Sequence, residues 1–250
     1  MLMASATRYP LVRWFGSSVF WIAILAMPVG VAHAETLRFH AAAAGQQTLD
    51  QGEGGGNPFA SALLHILDRP KLKLSDLPGE VARLTFGNSR GFQAADVAKI
   101  NSDQEWLLIP RASGERRSAL VLVVSNYSAT GGAQSLPGAR LDAERIASAL
   151  TKAGFATETA LDLSLAEMRA KLTAFADQSE YYDAALVYTT GHGVEVGGEI
   201  YLIPGDYPIQ NGNTALTERA LSLGSIANAL RAKRVNLLFY GGCRDNPFAN

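Results

Sequence analysis

The sequence predicts an α/β fold, a mostly parallel sheet with helices on both faces. Two observations predict it. Three continuous apolar runs of strand length, at residues 118–124, 184–189 and 235–240, carry no polar alternation, as strands buried on both faces require. Segments with helical periodicity lie between them, and strand alternating with helix implies crossover connections and a parallel sheet.

Residues 118–124 (SALVLVV) form the first buried strand. Residues 142–153 predict a helix, with Ala143, Ile146, Ala147 and Leu150 on one face and Gly154 as its stop. Residues 156–161 are a shorter, more polar strand. Ser164 and Glu167 have the spacing of a capping box, and Leu165, Met168, Leu172 and Phe175 continue that helix. A helix over 225–232, with Ile226 and Leu230 inward, leads into the strand at 235–240. In the N-terminal half, 36–42 can be a strand and 45–56 is a Gly-, Gln- and Asp-rich loop. Asn57-Pro58 then starts a helix carrying Leu63, Ile66 and Leu67, and 75–86 suggests another, with Pro78 tolerable in its first turn. One strand and two helices make a poor free-standing core, so this half is expected to complete the sheet of the other.

Composition limits the function classes. The chain has 250 residues and a net charge of −1, with no basic block, which sets nucleic acid aside as a partner. The first 34 residues read as a signal peptide. Arg8 and Arg13 form a positive n-region, residues 19–27 a short apolar run, and Ala32-His33-Ala34 a cleavage site. The alternative is a membrane anchor over 15–32, a run that Gly16, Ser17, Ser18 and Pro28 dilute. Cleavage after Ala34 makes the protein exported, periplasmic or secreted, with membrane contact only through the signal peptide. Cys243 is the single cysteine, so no intrachain disulfide exists. A lone thiol in an oxidising compartment is a candidate nucleophile, with buried inert Cys as the commoner alternative.

Two strands end in similar sequence: 184–188 runs into Thr189-Thr190-Gly191-His192-Gly193, and 235–240 into Gly241-Gly242-Cys243-Arg244. Ligands of open α/β sheets bind beyond the C-terminal strand ends, so His192 and Cys243 fall where an active site is expected. An imidazole beside a thiol makes a nucleophile and its base, and the backbone N–H groups of Gly193 and Cys243 are natural oxyanion donors.

Residues 117–127 (RSALVLVVSNY), 136–155 (LPGARLDAERIASALTKAGF), 188–204 (YTTGHGVEVGGEIYLIP) and 239–248 (FYGGCRDNPF) resemble blocks of the caspase-like cysteine peptidases, clan CD, in particular the bacterial metacaspase-like proteins. The resemblance implies a caspase-like (caspase-hemoglobinase) fold, a polypeptide substrate, and a Cys243–His192 dyad acting as an endopeptidase; no cofactor is expected. Residues 37–67, together with the chain onward through 93–110, resemble the family's small subunit, which usually comes last. The chain is therefore expected to be circularly permuted: a small-subunit-like part at 35–110, a linker at 111–117, and a large-subunit-like part at 118–250, with 35–250 folding as one domain. A separate N-terminal domain before a truncated family member is the alternative. The family usually has Asp where Gly241 stands, an acid that helps bind a basic P1 side chain, and Ser where Thr190 stands. Asp142 matches a second acid of that pocket, or is a first-turn acid favoured by the helix dipole. The resemblance thus gives Asp142, Thr190 and Gly241 as substrate-binding positions and leaves preference for Arg or Lys at P1 open. A caspase-fold binding protein that has lost catalysis is the other functional reading. Residues 50–53 lack the spacing of an EF-hand loop, so no metal is expected.

Overall fold

A computed structural model of the chain describes residues 33–52, 54–69, 72–97, 100, 114–128 and 133–246. The signal-peptide reading therefore lies outside the described residues except for its last two positions, as do parts of the 93–110 segment and of the 111–117 linker. In chain order the elements are β1 (Thr36–His40), α1 (Pro58–Leu67), α2 (Leu77–Asn88), β2 (Asp96–Val97), β3 (Arg117–Val123), α3 (Pro137–Lys152), β4 (Ala156–Leu161) and α4 (Leu165–Ser179). They continue with β5 (Ala184–Thr190), β6 (Gly193–Val196), β7 (Glu199–Leu202), α5 (Leu216–Arg219), β8 (Leu221–Ser222), α6 (Leu223–Ala227) and β9 (Val235–Tyr240).

The main sheet has the order β2-β1-β9-β5-β3-β4, and among the described strands in it only the β1–β2 pair is antiparallel. Its central strands are buried along their whole length, and alternate residues serve opposite cores. Leu120 and Leu122 of β3 join α4 and α6 on one face. Ala119, Val121 and Val123 join α1, α2 and α3 on the other. Each buried Leu or Val contributes roughly 1.5–3 kcal/mol, which is why these runs carry no polar alternation. The N-terminal strand belongs to this sheet. β1 runs parallel to β9 in the register Phe39↔Phe239, and those two rings stack with centroids 4.7 Å apart. Helix α1, capped by Asn57, packs on α3.

Two expectations need correction. Helix α3 begins at Pro137, five residues before the expected start, because the Asp50 carboxylate accepts the N–H groups of Gly138 and Ala139 from far along the chain. Asp142 is consequently not in the first turn. Helix α6 ends at Ala227 instead of continuing to 232: the Arg231 and Ala232 N–H groups are taken by Ser179 Oγ and Asn236 Oδ1. The segment after His192 adds a second sheet. Strands β6, β7 and β8 make a small antiparallel sheet, turned at Gly197 and Gly198, both at positive φ. A Gly-Gly pair between alternating residues is a hairpin signal.

Candidate active site

Adjacent parallel strands β5 and β9 end at the same edge of the sheet, which places the two loops beyond them side by side. His192 lies two residues past β5. Its main chain is held at both ends: its N–H donates to Tyr127 Oη (2.8 Å), and its carbonyl accepts from the Ile203 N–H (2.9 Å). The Tyr127 hydroxyl in turn donates to the Ile203 carbonyl (2.9 Å). Tyr127 is fully buried, and burial raises its phenol well above the ordinary range, so it stays a donor. Its ring meets the imidazole edge-on at 4.5 Å. The imidazole Nε2 lies 2.7 Å from the Gln134 carbonyl oxygen. A carbonyl only accepts, so Nε2 carries the proton and Nδ1 is left as the ring's proton acceptor.

Cys243 lies three residues past β9 and is half-buried. Its Sγ sits 3.3 Å from the Thr48 nitrogen, which donates to it, and 3.4 Å from Thr48 Oγ1. The loop before Thr48 pairs with the chain after the cysteine: the Gly45 N–H donates to the Arg244 carbonyl (3.1 Å) and the Arg244 N–H to the Gln46 carbonyl (2.9 Å). Gln47 Nε2 donates to Asp245 (2.7 Å). The buried Arg244 guanidinium reaches three other segments, bonding Glu195 of β6 (2.8 Å), Asp96 of β2 and the Ala42 carbonyl (3.2 Å). Burial alone would lower its pKa, but the bonds to Glu195 and Asp96 outweigh that and raise it. Nearby His40 is pushed down to about 4 by burial and then by the Arg244 charge, so it is neutral at neutral pH.

The two loops touch through their main chains. A Cβ on Gly193 would overlap Tyr240 Oη and come within 2.5 Å of the Cys243 carbonyl oxygen. One on Gly242 would come within 2.7 Å of the Gly191 carbonyl oxygen. No side chain fits between them, so the main chains carrying His192 and Cys243 are held directly against each other. Gly193 opens β6 at this contact.

The expected substrate-binding positions are buried next to these loops. Thr190 ends β5, and both it and Gly241 are buried. A Cβ at 241 would stand 2.9 Å from Thr190 Oγ1 and 3.3 Å from Tyr188 Oη, so the aspartate usual there requires Thr190 to move. Asp142 is fully buried under Gly56, with Oδ2 accepting the Asn57 N–H (2.8 Å) and no partner on Oδ1 among the described residues. Burial pushes its carboxyl up to about 7. Asn57 also donates to the Gly241 carbonyl (3.2 Å), tying the Asp142 cover to the cysteine loop. Sequence reasoning missed Tyr127, Gln134, Thr48 and Tyr240. Gln134 acts through a carbonyl and Thr48 from far along the chain, so neither carries a local signal. The Gly-Gly pair after Tyr240 does signal crowding.

The family model of the caspase domain matches residues 116–250, from the start of β3 through both loops. The comparison with curated proteins finds no match.

Proposed function

Because the chain belongs to the caspase-domain family of peptidases, we propose that it is a cysteine endopeptidase in which Cys243 is the nucleophile and His192 its base. The observation that carries this reading is the backbone contact between the two loops, combined with the Gln134 bond that reserves Nδ1 for proton transfer.

The thiol proton passes to His192 Nδ1, and Sγ forms a bond to the scissile carbonyl carbon. Negative charge moves to the carbonyl oxygen, where the Gly193 and Cys243 N–H groups receive it. One such donor is typically worth about 10²–10³ in rate. Collapse breaks the C–N bond, and the imidazolium gives its proton to the leaving amine. Water, deprotonated by His192, then attacks the thioester and releases the carboxylate and the free thiol. The Thr48 contacts hold the sulfur in the resting state.

Of the positions that the resemblance gives to the P1 site, Asp142 is the acid, and Asn57 and Gly56 cover it. Cleavage after Arg or Lys in this reading requires the 49–57 loop to uncover that carboxyl. We further read the chain as permuted, with β1, α1 and α2 serving as the small-subunit-like part. The parallel seat of β1 beside β9 and the start of the family match at 116 support this. The Arg8–Ala34 pattern supports export.

Cleavage of a P1-diverse peptide library tests the function. Cys243→Ala and His192→Ala should each lower activity by at least about 10³-fold while preserving the fold, and the double variant should be no worse than either single one. Activity retained in Cys243→Ala would sink the assignment.

A further inference from the structure

We propose that Tyr240, paired with Tyr127, is a positioning residue of the dyad: its phenol fixes the Cys243 peptide as that of Tyr127 fixes the His192 peptide. The inference rests on the peptidase reading and deepens it.

The geometry is parallel on the two sides. Tyr127 Oη accepts the His192 N–H at 2.8 Å, and Tyr240 Oη donates to the Cys243 carbonyl at 3.0 Å. Both rings are fully buried, and burial keeps both phenols protonated. A buried Tyr hydroxyl needs a partner, and each finds one on the main chain of a dyad residue. The sequence gives up side chains to seat them. A Cβ at Gly191 would lie 2.8 Å from Tyr127 Oη, and one at Gly193 or Gly242 would overlap Tyr240 Oη. Three of the four glycines flanking His192 and Cys243 therefore face the oxygen of Tyr127 or Tyr240, and the fourth, Gly241, faces that of Tyr188. Glycine costs conformational entropy on folding, so an apolar side chain at 240 beside ordinary neighbours would fill the space more cheaply. The arrangement accounts for Gly242: the residue before the cysteine lacks a side chain because the Tyr240 phenol curls back under it.

The hydroxyl does more than fill space. The Cys243 carbonyl oxygen lies within 2.5 Å of where a Cβ on Gly193 would stand, so its orientation registers the cysteine loop against the histidine loop. Without the donor, the peptide at 243–244 gains freedom and the distance from Sγ to the imidazole broadens. Small misplacements of reacting groups are costly to rate while leaving substrate contacts intact.

Tyr240→Phe removes only the oxygen. It should lower kcat about tenfold with KM within about twofold and the fold preserved. Iodoacetamide alkylation of Cys243, which needs no hydrolysis, should slow by a comparable factor. Tyr127→Phe is the second variant and should behave alike, so the proposal stays testable if Tyr240→Phe fails to fold. Unchanged kcat and alkylation in the folded variant, or a lowered melting temperature alone, would overturn the positioning role while leaving the peptidase reading standing. If the wild type hydrolyses no peptide but His192-dependent alkylation still slows in Tyr240→Phe, the positioning role holds and the peptidase reading fails.

Discussion

The loops carrying His192 and Cys243 are held in different ways. His192 is fixed by Tyr127, Gln134 and Ile203, all within the stretch that the caspase-domain model matches. Cys243 and Arg244 are fixed mostly from in front of it, by Ala42, Gly45, Gln46, Thr48 and Asp96, with Glu195 and Tyr240 as the contributions from within. The histidine loop is thus held from within the matched stretch, whereas the cysteine loop is completed by β1, β2 and the turn after β1. Changes on the N-terminal side should therefore reach the cysteine and spare the histidine.

Arg244 is where that difference is largest. Arg244→Met keeps the volume but strands Glu195 and Asp96 and releases the Ala42 carbonyl. Losing one partner of a mostly buried ion pair costs several kcal/mol, and half-exposed Asp96 recovers part of it through water. A loss of about 3 kcal/mol in urea unfolding is expected, with alkylation of Cys243 disturbed and the His192 amide still protected from hydrogen exchange. Equal loss of protection at both loops would erase the distinction between them.

Gly193→Ala tests the seam itself. The added methyl overlaps Tyr240 Oη, so the loops must part and activity should fall by about 10²-fold. Gly198→Ala, at the open β6–β7 turn, meets nothing within 4 Å. It should cost about 1 kcal/mol for its positive φ and leave peptidase activity within about twofold. Similar activity losses in the two would mean that the seam has no special role.

A further effect concerns pH. The folded-state pKa of Asp142 is raised to about 7 from an ordinary 3.8, so between those values the folded chain keeps a proton that the unfolded chain has lost. Its contribution to stability falls as pH rises through that window. His40 works in the opposite sense: its folded value of about 4 lies below 6.5, and its contribution falls as pH drops from 6.5 towards 4. Asp142→Asn keeps an acceptor for the Asn57 N–H and removes the buried charge. Its melting temperature should exceed that of the wild type by a few degrees at pH 8 and match it near pH 4. A gain of equal size at both pH values would mean that ionisation of Asp142 is not the cause.

How legible each element is in the sequence depends on how local its signal is. Strands β3, β5 and β9 announce themselves because all their residues are buried, and α4 does so because Ser164 and Glu167 cap it from within, both bonds being formed. The start of α3 is hidden because its cap is Asp50, and the end of α6 because Ser179 and Asn236 take the N–H groups of Arg231 and Ala232 that a longer helix would have used. The candidate dyad is legible from position at two strand ends and from the resemblance of their flanking blocks. Its supports are not. A carbonyl at Gln134, a threonine on the far side of the chain and the seam between two glycine loops are properties of the folded main chain.

The most direct test treats the protein with a peptidyl acyloxymethyl ketone and maps the adduct by mass spectrometry in the wild type and in His192→Ala. One adduct on Cys243, lost or slowed by at least about a hundredfold without His192, is expected of a nucleophile activated by that base. Equal labelling of Cys243 in both proteins, or none in the folded wild type, would contradict the assignment.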